Sequence, residues 1–110
     1  MNRKIYNKLI RDKIPEIIRK SNAVPKISEL NDEQFKIALK DKLTEEAKEL
    51  LEAKTEEEIL NELSDVLQLI ESIADNNNLS FAAVEKQKEK KKKERGGFDK
   101  KLFLEYVDEK

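Results

Sequence analysis

Residues 45–65 read EEAKELLEAKTEEEILNELSD. The leucines recur at steps of three and four, the period of a helix with one buried face. Thr55 followed by Glu58 has the spacing of a capping box, which opens a helix by satisfying its first free N–H groups. One helix therefore ends just before Thr55 and another starts just after it. So short a connection makes the two antiparallel neighbours, a helical hairpin. The first helix opens at Asn31 or Asp32 and spans roughly 32–53. Its apolar positions are Phe35, Leu39, Leu43, Ala47, Leu50 and Leu51. The second spans roughly 56–75, before the run NNN at 76–78. It carries Ile59, Leu60, Leu63, Val66, Leu67, Ile70, Ile73 and Ala74.

At about 100° per residue, the side chains can be placed around each helix. With Leu39 at zero, Phe35 lies near −40° and Leu50 near +20°, and Glu46 falls between them at about −20°. Glu49 and Lys42 flank the stripe at about −80° and −60°, and Glu45 lies further round at about −120°. With Leu63 at zero, Glu62 falls at about −100°, among Leu69, Ile73 and Val66, and Asp65 flanks it near −160°. Glu46 and Glu62 thus project where leucines belong. A lone buried carboxylate there is costly or is neutralised by a raised pKa. A divalent cation resolves the conflict. Glu46 with Glu49, and Glu62 with Asp65, are i, i+3 pairs, each on one helix face. On facing helices they offer four hard oxygen donors, a set suited to Mg²⁺, with Mn²⁺ as the alternative. Such pairs are common in a chain with 24 acidic residues; the intrusion into apolar stripes singles these out. Glu58 is explained by capping, and Glu56, Glu57 and Glu71 by solvent.

The rest of the chain extends the helical reading. Asp12 is placed to cap a short helix in KIPEIIRKSN, with Pro15 in its first turn, and Asn22 marks its stop. VPKISEL (24–30) reads as extended. Ser80 caps a further helix, SFAAVEKQKEKKKKER, which loses its apolar face after Val84. GGF (96–98) then breaks the chain. KLFLEYV (101–107) reads as a short strand that pairs with 24–30. The 110 residues suit one domain, residues 1–110, that is otherwise all-α. Two hairpins from two chains would make a four-helix bundle, so a homo-oligomer, dimer or tetramer, is expected.

Composition removes several chemistries. With no Cys and no His, disulfides, thiolate nucleophiles, Cys/His zinc sites and Ser-His triads are excluded. The net charge of −1 supplies no basic field for nucleic acid, and the run KEKKKKER is interrupted by glutamates and lacks aromatics. No apolar run approaches a membrane span, and MNRKIYNKLIRDK has no signal-peptide core. A cytoplasmic protein is the expectation.

Three blocks carry a resemblance. EEAKE (45–49), then twelve residues, then ELSD (62–65), resembles the EExxE…ExxD signature of the MazG-like branch of the all-α nucleoside triphosphate pyrophosphohydrolases. YNKLIRDKIPEII (6–18) resembles the N-terminal segment of a MazG-related subgroup of phosphoribosyl-ATP pyrophosphohydrolase-like proteins. KKKERGGF (91–98) is similar to that subgroup's basic segment and its Gly-Gly-Phe ending. The resemblance implies an all-α oligomer that hydrolyses a nucleoside triphosphate between its α- and β-phosphates, with Mg²⁺, to monophosphate and pyrophosphate. The family's ligands fall on Glu46, Glu49, Glu62 and Asp65, the four that the helix geometry selects. Glu45 matches the first acid of the motif, with a role in orienting or deprotonating the attacking water; Glu46 belongs to the same catalytic pair. Candidate cations for the leaving pyrophosphate are Lys8, Arg11 and Lys13 from the first block, Lys42, and Lys92 and Arg95 from the third. Lys92 also reads as solvated charge, and Arg11 with Asp12 as a structural pair. Two other readings stand beside this one: hydrolysis of phosphoribosyl-ATP, and a non-enzymatic helical interaction module whose acids are surface.

Overall fold

The computed structural model describes residues 2–109. It holds four helices, α1 (Ile14–Lys20), α2 (Asp32–Glu52), α3 (Glu56–Asn76) and α4 (Phe81–Arg95). The fold is all-α, and α2 and α3 form the expected hairpin. α4 packs on α3 over a smaller area, and among the described residues α1 packs against no other helix.

Local chemistry accounts for the boundaries. At the start of α2 the Asn31 side chain accepts from the Gln34 N–H at 2.9 Å, and the Asn31 N–H donates to Gln34 Oε1 at 3.1 Å. This is a complete capping box. Thr55 opens α3 by accepting from the Glu58 N–H at 3.1 Å. The reciprocal half differs from expectation, because Glu58 Oε1 takes the Thr55 hydroxyl proton instead, at 3.0 Å. Ser80 opens α4 by accepting from the Ala83 N–H at 3.1 Å. Asn77, Asn78 and Leu79 close α3 with backbone bonds to its last carbonyls, and Asn78 takes a left-handed φ of 59°, which Asn tolerates. Gly96, at φ 85°, ends α4.

Two expectations need correction. Asp12 does not cap α1. The helix is entered through a turn in which the Ile14 N–H donates to the Arg11 carbonyl, and the N-cap, Lys13, is already helical and makes no side-chain cap. Side-chain capping needs an extended residue at that position. The strand pairing of 24–30 with 101–107 does not form, and there is no strand among the described residues. Lys101 has a φ of 59°, which breaks an extended run at its first residue. Leu102, Phe103 and Leu104 are consecutive and all exposed, so the segment lacks the alternation that seats a strand on one surface.

The core lies along the α2–α3 seam and is thin. Leu39, Leu69 and Ala74 are its buried apolar residues, and Glu46 is buried beside them. On α3 the apolar positions span two arcs. Leu69 is buried, with Val66 and Ile73 half-buried near it, whereas Leu60, Leu63 and Leu67 are exposed. On α2, Ala47 and Leu51, counted with the stripe, lie outside the core. Hairpin packing therefore uses one arc of α3 and leaves the other bare. The radius of gyration is 18.9 Å, against about 13 Å for a compact domain near this size. The accessible area is 10953 Å², where a compact monomer of this mass would show roughly 6300 Å². No helix among the described residues is long and apolar enough to cross a membrane.

Candidate metal centre

Glu46 lies at the middle of the site. It projects from α2 into the seam and is only 6% exposed. Two sets of oxygens converge on it, with one carboxylate oxygen from each member within 4.8 Å of the others. The first is Glu45, Glu46 and Glu49 on α2; the second joins Glu46 to Glu62 and Asp65 on α3. The i, i+3 spacing brings each pair to one face, and antiparallel packing brings the faces together. Glu62 and Asp65 are half-buried and Glu49 is exposed at the rim.

The cluster is only partly neutralised. Lys42 Nζ lies 3.4 Å from Glu45 Oε1 and 3.5 Å from Glu46 Oε1. Lys8 Nζ lies 3.6 Å from Glu45 Oε1, and Arg11 Nη2 donates to Asp65 Oδ1 at 2.7 Å. The second oxygens of Glu46 and Glu62 are buried without any hydrogen-bond partner. Buried carboxylate oxygens are rarely left so. Titration follows from the crowding. Hydrogen bonding to Glu46, then burial, then the charges of Glu46, Glu49 and Asp65 push Glu62 up to about 7. Burial pushes Glu46 up as well, but hydrogen bonds from Glu62 and Glu49 and the charge of Lys42 outweigh it and hold Glu46 below the ordinary carboxylate range. Glu49 is raised by its hydrogen bond to Glu46 and by burial. Of the three, Glu46 is the one whose charged form is favoured.

This donor set fits a hard divalent cation. It is all oxygen, it converges from two helices, and when both carboxyls are charged two of its buried oxygens, on Glu46 and Glu62, have no hydrogen-bond partner among the described residues. Beside it, an open hollow of ≈ 340 Å³ is lined by Glu49, Glu52, Ala53, Glu58, Asn61 and Glu62.

The sequence-derived candidates divide accordingly. Glu45, Glu46, Glu49, Glu62 and Asp65 come together, with Lys8, Arg11 and Lys42 against them. Lys13, Lys92 and Arg95 are exposed, and no ion pair among the described residues joins them to the cluster. Arg11 pairs with Asp65, not with Asp12. The partners span 54 positions, a separation no local pattern discloses. Glu52, on the hollow's wall, had only its place among the acids of α2 to signal it.

The all-α fold and a matching family model together place the chain in a class, the MazG-like all-α nucleotide pyrophosphohydrolase superfamily. Within it, the family described as phosphoribosyl-ATP pyrophosphohydrolase matches residues 6–92, most of the chain. The chain belongs to that family. It is also 46% identical over 52 residues to an uncharacterized protein of Mycolicibacterium smegmatis, a match covering 47% of this chain and 53% of the relative. The chain thus spans about half the length of the curated relative it matches. No solved structure matches.

Proposed function

We propose that the protein is a Mg²⁺-dependent nucleotide pyrophosphohydrolase that cleaves between the α- and β-phosphates. The observation that carries this reading is the pair of orphaned buried oxygens on Glu46 and Glu62, set on facing helices beside Asp65. Family membership supports it. Glu46, Glu49, Glu62 and Asp65 would hold Mg²⁺, with Mn²⁺ as a substitute. When bound, the ion offsets phosphate charge and acidifies the attacking water. Glu45, at the rim and held by Lys42 and Lys8, orients that water and takes its proton. Lys8, Arg11 and Lys42 face the charge that develops on the leaving pyrophosphate. Each has donors beyond those used on the carboxylates. Lys13, Lys92 and Arg95 make no ion pair with this cluster among the described residues, and we assign them to the site of a second chain. The bare arc of α3 supplies the surface for one, giving a homo-oligomer built on paired hairpins and serving as a cytoplasmic nucleotide-pool enzyme.

The test is product analysis with a panel of NTPs, dNTPs and phosphoribosyl-ATP, with Mg²⁺ and with EDTA. Monophosphate and pyrophosphate in equal amounts, lost with EDTA and in Glu46→Gln, are the expected result. Release from phosphoribosyl-ATP alone would narrow the substrate to the one the family is described by. No release from any of them would leave the helical interaction module, a reading favoured by the exposed Leu60, Leu63 and Leu67.

A further inference from the structure

The N-terminal arm meets the acidic cluster through Lys8 and Arg11, the two ends of the run KLIR (8–11). Lys8 reaches Glu45 on α2, and Arg11 reaches Asp65 on α3. Leu9 and Ile10, between them, are half-buried. The arm therefore straddles the seam between the two helices at the place where their carboxylates converge. Among the described residues, these are the only ion pairs that join the cluster to a segment outside the hairpin.

The Arg11–Asp65 pair contributes little to folding, because Arg11 is 57% exposed and water screens a pair of that kind. Its effect on Asp65 is larger. Asp65 sits on the flank of α3, beside Glu46 and Glu62, and the charge of Glu46 repels its carboxylate. Arg11 engages Oδ1 at 2.7 Å and leaves the other oxygen of the carboxylate free to ligate. Carboxylates that bind metals are commonly held by such hydrogen bonds. The opposing effect, repulsion between the guanidinium and an arriving cation, is screened at this exposure, whereas the orienting hydrogen bond persists.

We propose that Arg11 is a positioning residue that holds Asp65 in its ligating orientation, so that the N-terminal arm completes the cation site. This rests on the reading that the cluster holds a divalent cation. The test is calorimetric titration of Mg²⁺, without nucleotide, into the wild type, Arg11→Ala, Arg11→Lys, Asp65→Asn and the Arg11→Ala/Asp65→Asn double variant, with thermal melting of each. Arg11→Ala is expected to weaken Mg²⁺ binding about tenfold or more while melting as the wild type does. Arg11→Lys should recover part of the loss, and Arg11→Ala should add nothing once Asp65 is Asn. Unchanged affinity in Arg11→Ala, in a wild type that binds, would overturn the positioning role and spare the metal centre. Tighter binding would overturn it too, by making Arg11 a competitor. A wild type that binds no Mg²⁺ would remove the metal reading, and this inference with it.

Discussion

Hydrogen bonding to Glu46, then burial, then the charge of Glu46 raise Glu62 above the ordinary carboxylate range. The folded value is about 7, raised from the ordinary 4.5. Between those values the folded protein holds a proton that the unfolded chain has released. The stabilisation from this group is therefore complete below the unfolded value and is lost as pH rises through about 7. Glu46, held low, has the opposite sign: its contribution is present above its unfolded value and is lost on acidification. The metal-free protein should thus melt at a lower temperature at pH 8 than at pH 5. Glu62→Gln should flatten that slope, and Mg²⁺ at pH 8 should recover the loss; identical slopes in both proteins would dismiss the shared proton. Leu39, 3% exposed, carries much of a small core. Leu39→Ala should cost about 2–5 kcal/mol by urea titration.

The hairpin was legible in the sequence because its determinants are local. Asn31 with Gln34, Thr55 with Glu58 and Ser80 with Ala83 sit within one turn of each other, so the sequence itself displays the helix starts. The burial of Glu46 followed from its angle within a stripe. The angle alone did not choose between the two arcs of α3, since packing against α2 decides which is covered. Leu60, Leu63 and Leu67 read as core and turn out bare. The Arg11–Asp65 pair is a tertiary fact, set by a contact between segments 54 positions apart, whereas the run Leu102–Phe103–Leu104, which lacks alternation, already spoke against a strand at 101–107. Two predictions belong to this scale. Thr55→Ala should cost about 1 kcal/mol of stability, measured by denaturant titration, through loss of the α3 cap. Leu63→Glu should leave helicity intact by circular dichroism and abolish self-association in sedimentation.

At the scale of the molecule, the single chain is extended, which suggests oligomerisation. Its radius of gyration and accessible area both exceed those of a compact domain of its mass. Leu102, Phe103 and Tyr106 extend bare beyond α4, and Phe98 is 97% exposed. A second copy across the bare arc of α3 would bury Leu60, Leu63 and Leu67. Sedimentation should therefore give a multiple of 12.9 kDa, and a monomer at micromolar concentration would contradict the oligomer. In the proposed function, the buried second oxygens of Glu46 and Glu62 are there to hold a cation. Calorimetric titration of Mg²⁺ into the wild type and Glu46→Gln at pH 8 tests it most directly. Saturable binding to the wild type and none to the variant is the expected result, whereas equal heats from both, or from neither, would contradict the metal centre.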